Sequence, residues 1–167
     1  MSPGRVEAVL LGPRAEAEPV RVRTARAVPG RGLEGDRYFA GAGTWSNWRG
    51  ITAGQDLTLI EAEALEAAAR HLGREVTAEM GRRNVVVSGV SLDDLVGRSF
   101  RVGEVECHGD RPCDPCRHLE RLGGPGLLRA LTGRGGLRAD VLSEGAIEVG
   151  AAVTPFDEGG PGGARDV

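Results

Sequence analysis

The sequence predicts a mainly β, barrel-like fold with a few short helices. Short apolar or alternating segments, most of them ending in glycine-containing turns, recur along the chain, and few segments have helical character. This succession fits a barrel better than a doubly wound sheet, in which strands and helices alternate regularly. The length of 167 residues fits one domain. We place that domain at residues 1–155, followed by a flexible Gly-rich tail at residues 156–167.

The first half of the chain is predicted to supply three strands and the strongest helix. Segments 6–12, 20–24 and 56–60 have the apolar or alternating patterns of strands. The alanine- and glutamate-rich segment 61–71 has the highest helix propensity of the chain. Gly73 stands where a helix of this length would end, because glycine adopts the left-handed conformation of a C-terminal cap.

The second half alternates short strands with short helices. Ser91 is predicted to cap a short helix, with Asp94 completing a capping box. Two more short helices are predicted at 116–122 and 124–131. Strands are predicted at 85–89, 100–103, 105–108, 137–142 and 146–150, the last two forming a hairpin through Glu144 and Gly145.

Composition excludes several classes of function. The net charge of −3 argues against a protein that binds nucleic acid by neutralising phosphates. All 21 basic residues are arginine, so no lysine is available for a Schiff base, and covalent attachment of pyridoxal phosphate is excluded. The sequence shows no apolar leader, no segment long enough to span a membrane, and an odd number of cysteines. We therefore expect a cytoplasmic protein with no membrane or nucleic-acid partner.

The segment 111–118 concentrates reactive and rigid residues: two cysteines, two prolines, two arginines, a carboxylate and a histidine. Asp114 suits a helix N-cap and Pro115 the first helical position, which would put Cys116 in the first turn. The positive end of a helix, together with Arg111 and a second arginine, is expected to lower the pKa of the Cys116 thiol. A thiolate there could serve as a nucleophile or as a metal ligand.

Five short motifs, taken in order, resemble the MOSC family, which is named from the C-terminal domain of molybdenum cofactor sulfurases. Together they extend over about residues 5–153, and the resemblance is to the small stand-alone bacterial members. The motifs are Gly32-Leu-Glu-Gly-Asp-Arg-Tyr, Arg82-Arg-Asn-Val-Val-Val, Leu95-Val-Gly-Arg-Ser-Phe-Arg-Val-Gly, Cys113-Asp-Pro-Cys and Gly135-Gly-Leu-Arg-Ala.

The resemblance implies a MOSC-like β-barrel with a pocket for the molybdenum cofactor (molybdopterin), a pterin that carries a dithiolene and a phosphate. The family's molybdenum-ligating cysteine falls on Cys116, and its Arg-x-Asn pattern falls on Arg82 and Asn84, which are expected to hold the pterin and phosphate. The chemistry agrees, because a soft metal suits a thiolate and a guanidinium fork suits a phosphate.

Other residues enter the expected cofactor site with less defined roles. Asp36 and Arg37 match a family motif near the pocket, and Arg111 is expected to help hold the cofactor. Cys113 departs from the family's one-cysteine pattern, either as a resolving thiol or as a small residue before the helix. The loop that begins at Tyr38 replaces the His-Gly-Gly loop of several relatives. Its two tryptophans are expected to fold back over the core as a lid.

Two classes of function follow from this resemblance. One is an oxidoreductase that reduces N-hydroxylated or related small molecules, with a separate electron-donor protein. The alternative is a carrier of sulfur or cofactor that receives a persulfide on Cys116 from a donor protein.

A structural zinc site is disfavoured, because the chain has only one C-x-x-C motif and Cys107 and His108 would point to opposite faces of a strand. The remaining potential zinc ligands are Cys113, Cys116 and His118, and we expect His118 to be solvated at the surface.

Overall fold

The strands of the protein are short, and most of them belong to one sheet that closes on itself. The computed structural model describes residues 3–39 and 53–156. The strands in these ranges are β1 (Gly4–Leu11), β2 (Val20–Val22), β3 (Thr24–Val28), β4 (Gly32–Leu33), β5 (Leu57–Glu61), β6 (Val85–Ser88), β7 (Ser99–Val102), β8 (Val105–Pro112), β9 (Leu137–Val141), β10 (Gly145–Glu148) and β11 (Ala152–Pro155).

The helices described are few and short, as expected. They are α1 (Ala62–Leu72), α2 (Ala78–Gly81), α3 (Arg117–Gly123) and α4 (Leu127–Leu131), with a 3₁₀ turn at Leu92–Leu95. Gly73 ends α1 in the left-handed conformation, with φ of 68°, and its N–H donates to Ala69 O at 2.9 Å. Among the described residues, no helix combines the length and apolar character needed to cross a membrane.

Seven strands close the barrel in the order β1–β6–β5–β9–β8–β7–β11, and β11 returns to pair with β1. Neighbouring strands are antiparallel except β5 and β6, which are parallel. The segment that connects this parallel pair contains α1 and α2, since a parallel pair needs a crossover connection. Strand β2 extends the sheet beyond β1, while β3, β4 and β10 form a separate three-stranded sheet. The prediction of a mainly β barrel with a few short helices is confirmed.

The barrel wall is buried on both faces along β6. Val85 and Val87 point into the barrel interior, whereas Val86 belongs to a second apolar cluster between the barrel and the helices. This alternation follows from the two-residue period of a strand, and burial on both faces explains why the strand reads as a continuous apolar run. The helices therefore cover the part of the outer wall that lies beside β1, β5 and β6.

Two local predictions are wrong. Segments 137–142 and 146–150 do not form a hairpin, because β9 pairs with β5 and β8 in the barrel while β10 pairs with β3 in the small sheet. The capping box at Ser91 is also absent: the segment forms a 3₁₀ turn, and the N–H of Leu92 donates to the Glu61 carboxylate at 2.9 Å instead. The tryptophan lid and almost all of the tail predicted at 156–167 lie outside the described residues.

Gly136 is a position where the fold requires glycine. Its φ is 113°, and a Cβ there would lie 2.0 Å from the carbonyl oxygen of Leu59. We expect Gly136→Ala to lower the free energy of unfolding by several kcal/mol, roughly 3 or more, because β9 and β5 would have to separate. Gly133→Ala is the matched control, since Gly133 also has positive φ but has open space around it. Urea unfolding checks both, and equal losses would show that backbone conformation alone, not the clash, sets the effect.

Asp56 gives the fold a pH dependence. It is buried, its Oδ2 accepts hydrogen bonds from the N–H groups of Gly30 and Val141 at 3.0 Å each, and burial raises its pKa, as does nearby Asp140. A carboxyl whose pKa is higher in the folded state contributes stability at low pH, and that contribution is lost as the pH rises through the folded-state pKa.

Asp56→Asn removes this ionisation and keeps an oxygen for both amides. We therefore expect the free energy of unfolding of the variant to increase relative to that of wild type as the pH rises from about 3 to about 7. Urea unfolding across this range measures the difference, with the exposed Asp93→Asn as control. A wild-type advantage that grows as the pH rises would contradict the assignment.

Candidate functional site

A cavity of about 370 Å³ lies against the outer face of the barrel, beside α3. Thr58 and Arg138 line it, and each alternates along its strand with residues that face the interior. The cavity is thus on the wall of the barrel and not within it. Its lining comprises Leu10, Gly12, Pro19, Asp36, Arg37, Tyr38, Gln55, Thr58, Arg82, Arg83, Asn84, Arg111, Pro112, Asp114, Pro115, Cys116, His118, Leu119 and Arg138.

The lining is strongly cationic. In the described chain, it contains five arginines against two carboxylates, Asp36 and Asp114. Arg111 forms an ion pair with Asp110. The other four arginines have no carboxylate partner among the described residues; they are Arg37, Arg82, Arg83 and Arg138. A concave surface lined by one sign of charge attracts ligands of the opposite sign.

Unsatisfied hydrogen-bond donors are concentrated at the same place. Within residues 3–39 and 53–156, four buried side-chain nitrogens have no hydrogen-bond partner in the protein, and all four belong to residues that line the cavity. They are Arg37 Nε, Arg82 Nη2, Arg138 Nη1 and His118 Nε2. Each unmet buried polar group costs about 1–3 kcal/mol, and more when charged, so such a cluster needs an explanation. A ligand rich in oxygen acceptors would satisfy them.

Arg82 is held in an uncommon backbone conformation. It ends α2 with φ of 54°, which only a small fraction of non-glycine residues adopt. Its Nη1 donates to the carbonyl of Ala17 at 2.9 Å. Burial lowers its pKa, and the neighbouring positive charge of Arg37 lowers it further. Two half-buried guanidinium groups that repel each other indicate a place for a shared anion.

Asn84 has its side chain engaged within the protein. Its amide group donates to Leu10 O and to Asp36 Oδ1, at 3.2 Å each. Its Oδ1 accepts from both the N–H and the hydroxyl of Thr58, at 3.1 Å each. These four bonds join the ends of β1, β5 and β6. Asn84 thus lines the cavity while acting as the connection that positions its walls.

Asp36 and Arg37 form the wall contributed by the segment after β4. Asp36 is buried and accepts from the N–H of Gly12 at 2.7 Å and from that of Tyr38 at 3.1 Å. Arg37 Nη1 donates to Gly12 O at 3.2 Å, and the guanidinium lies over the Tyr38 ring, 5.4 Å from its centroid. The hydrogen bonds of Asp36 therefore fix this segment, and the segment presents Arg37 to the cavity.

The cysteine segment differs from the prediction. Helix α3 begins at Arg117, and Cys116 is its N-cap, with an extended backbone at φ of −140°. The expectations that Asp114 caps the helix, that Pro115 occupies its first position and that Cys116 lies within the first turn are therefore wrong. Cys116 is half-buried and lines the cavity.

The late start of α3 has a tertiary cause. Arg83 donates from Nε to Gly135 O at 3.0 Å, and from Nη2 to the carbonyls of Cys113 and Asp114 at 3.3 and 3.4 Å. The N–H of Cys113 donates to Gly136 O at 2.8 Å. These bonds keep the chain extended where a helix would otherwise begin. The Cys113 side chain is buried in this arrangement and is not part of the cavity lining.

Two basic lining residues were not expected at the site from the sequence. For Arg83, with Arg82 and Asn84, the sequence is compatible with both a solvated strand end and a shared pocket, and Arg83 lines the cavity. Arg138 received no role, although its alternation between Leu137 and Ala139 indicates that it leaves the barrel interior. His118 was expected at the surface, but it is half-buried and lines the cavity.

The zinc alternative has no support in the described parts of the chain. No group of three or more His, Cys, Asp or Glu side chains is placed there to share a metal ion. Cys107 lies in the barrel core, where burial raises its pKa to about 12.

The fold and site define a β-barrel protein with an arginine-lined cavity on its outer wall and a cysteine among the lining residues. The family model for the MOSC domain matches residues 46–154, and the chain belongs to that family. The MOSC domain family is associated with binding of the molybdenum cofactor.

Solved structures agree on the fold. The YuaD protein of Bacillus subtilis is 18% identical, with a TM-score of 0.76 over 92% of this chain and 97% of that one. YiiM of Geobacillus stearothermophilus is 19% identical, with a TM-score of 0.70 over 95% of this chain and 77% of that one. YiiM of Escherichia coli is 19% identical, with a TM-score of 0.66 over 92% and 70%. No curated protein matches the chain.

The unpaired charge of Arg82 predicts opposite effects on stability and on anion binding. Without phosphate, we expect Arg82→Met to unfold at the same temperature as wild type or higher, because it removes a half-buried charge beside Arg37. Inorganic phosphate should raise the unfolding temperature of wild type and have a smaller effect on the variant. Exposed Arg70→Met is the matched control. An equal response to phosphate in all three proteins would contradict an anion site at Arg82.

Proposed function

We propose that this protein binds the molybdenum cofactor in the arginine-lined cavity, with the Cys116 thiolate as the protein ligand of molybdenum. The observation that carries the proposal is the cluster of four unsatisfied buried nitrogens in a cavity that also contains a cysteine. Family membership supports it, because the MOSC family is associated with this cofactor.

The donor set fits the cofactor's chemistry. A pterin phosphate offers oxygen acceptors, and the cavity offers guanidinium donors that lack partners at Arg37, Arg82 and Arg138. Molybdenum bound by dithiolene sulfur is a soft centre, which suits a thiolate ligand such as Cys116. When bound, the cofactor would supply two-electron chemistry at an oxygen atom.

Different residues of this chain would hold different parts of the cofactor. Arg82 and Arg37 would hold the phosphate, and Arg138 and Arg111 would hold the remaining polar edge of the cofactor. Asn84 and Asp36 would position these groups through their bonds to the strand ends. Cys116 would fix the metal, and the backbone N–H of Cys113 would help to keep the segment before α3 extended through its bond to Gly136 O.

We further propose that the reaction is reduction of an N-hydroxylated or related small molecule. Two electrons and two protons convert the N–OH group into N–H and water. The electrons would come from a separate electron-donor protein, and the protons from solvent. The support for this substrate class is the resemblance to relatives of the same family, and the cationic cavity is compatible with a ligand that presents oxygen.

Metal and pterin analysis of the purified protein tests the proposal. Protein from a molybdenum-replete host should contain stoichiometric molybdenum and pterin, and Cys116→Ala should lose most of the metal. Cys107→Ala is the matched control, because Cys107 is a core cysteine remote from the cavity lining. Retention of stoichiometric molybdenum by Cys116→Ala would exclude this ligand.

The same preparation addresses the sulfur-carrier alternative. Intact-mass and peptide mass spectrometry would detect an additional sulfur atom on Cys116. A persulfide in the absence of bound pterin would favour the carrier and would contradict the oxidoreductase.

A further inference from the structure

His118 is connected to the protein surface through one of its two ring nitrogens. Its Nδ1 lies 3.1 Å from Nη2 of Arg121, one turn further along α3. The same Nη2 is 2.8 Å from the carboxylate of Glu16, in the loop after β1. A guanidinium can only donate hydrogen bonds, so Nδ1 must accept, and the ring proton of neutral His118 must be on Nε2.

The other ring nitrogen has no partner. Nε2 of His118 is buried and unpaired among the described residues, and the residue lines the cavity. Because Nδ1 is occupied by Arg121 on the exposed side, Nε2 is the nitrogen left to meet a ligand. The chain thus provides an imidazole N–H donor among the guanidinium donors of the cavity.

The surface part of this arrangement is itself constrained. Glu16 has φ of 65°, a left-handed conformation uncommon for a residue with a side chain. The adjacent Ala17 carbonyl accepts from Arg82, which ties the loop to the cavity wall. The pKa of Glu16 is lowered, first by its hydrogen bond to Arg121 and then by the charge of that arginine. The loop, Arg121 and His118 therefore form one connected unit.

We propose that His118 is a ligand-binding residue of the cavity, fixed as the Nε2–H tautomer by Arg121 and Glu16, and that it donates a hydrogen bond to an oxygen of the bound ligand. The proposal deepens the proposed function and rests on it for the identity of the ligand. That oxygen belongs either to the cofactor's phosphate or to the N–O group of the substrate. Arg121 and Glu16 are positioning residues, since neither lines the cavity.

Nitrogen NMR tests the tautomer without any cofactor or activity. The chain has three histidines, His71, His108 and His118, so the imidazole signals of the full-length protein can be assigned from single variants. In alkaline buffer, where imidazoles are neutral, His118 should show a protonated Nε2 and an unprotonated Nδ1. Arg121→Met should convert it to a tautomer mixture, whereas the exposed Arg70→Met should not. A protonated Nδ1 in wild type, or a tautomer unchanged in Arg121→Met, would overturn the proposal.

Titration with inorganic phosphate tests the donor role. On protein from a host unable to make the pterin, phosphate should shift the Nε2 signal of His118 and leave that of His71 unchanged. His118→Phe should weaken phosphate binding about tenfold or more, as expected for one hydrogen bond to a charged group. His118→Gln should recover part of the loss, and His71→Phe is the matched control. An effect of His118→Phe within twofold would overturn phosphate as the oxygen that His118 meets, whether or not the protein binds molybdenum.

A second preparation, loaded with the pterin, distinguishes the two oxygen sources. If the cofactor's phosphate is the partner, the His118 signal is already shifted and added phosphate has no effect. If the substrate is the partner, an added N-hydroxylated amidine shifts the signal in the loaded protein. A His118 signal insensitive to cofactor, phosphate and amidine alike would overturn the proposal.

Discussion

The four hydrogen bonds of the Asn84 side chain are the constraint on which the cavity depends. They connect Leu10 at the end of β1, Thr58 near the start of β5 and Asp36 in the segment after β4. Because β1, β5 and β6 also form the barrel wall, these strand ends have little freedom to move apart. The cavity is therefore as well defined as the barrel, although its lining comes from distant parts of the sequence.

The position of Asn84 in the chain also orients the two arginines that precede it. Arg82 turns toward the loop that contains Ala17, while Arg83 turns toward Gly135 and the cysteine segment. The left-handed conformation at Arg82 allows consecutive guanidinium groups to point to different walls. This short segment thus contacts both sides of the cavity. Arg82 contributes an unpaired guanidinium nitrogen on one side, and Arg83 donates to backbone carbonyls on the other.

The arginines that line the cavity lower the stability of the fold. Buried guanidinium groups without carboxylates are unfavourable, since desolvation is not offset by an opposite charge. The core cluster of the barrel interior, by contrast, consists of apolar side chains such as Val9, Phe100 and Ile147. Proteins tolerate unfavourable groups at binding sites when the remaining core supplies enough stability. Here the two environments lie on opposite faces of the same strands.

Sequence reasoning could identify the strands and several site residues, but not how distant segments meet. The apolar runs that became β1, β5 and β6 are visible in the sequence because the period of a strand is local. The partners of β10 are not visible, since nothing in its own residues distinguishes β3 from β9. The family motifs located Cys116, Arg82 and Asp36 on the cavity, whereas the positions of Arg138 and His118 there depend on tertiary contacts.

The start of α3 shows how such contacts change the chemistry inferred for a site. A helix beginning at Asp114 would have surrounded Cys116 with backbone N–H groups. The observed helix begins one residue after Cys116, so the thiol lies at the N-cap and not within the first turn. Arginines from other segments of the chain line the cavity together with Cys116. The arginines that would hold an anionic ligand thus share the cavity with the thiol, and a ligand that neutralises them would change the environment of Cys116 as well.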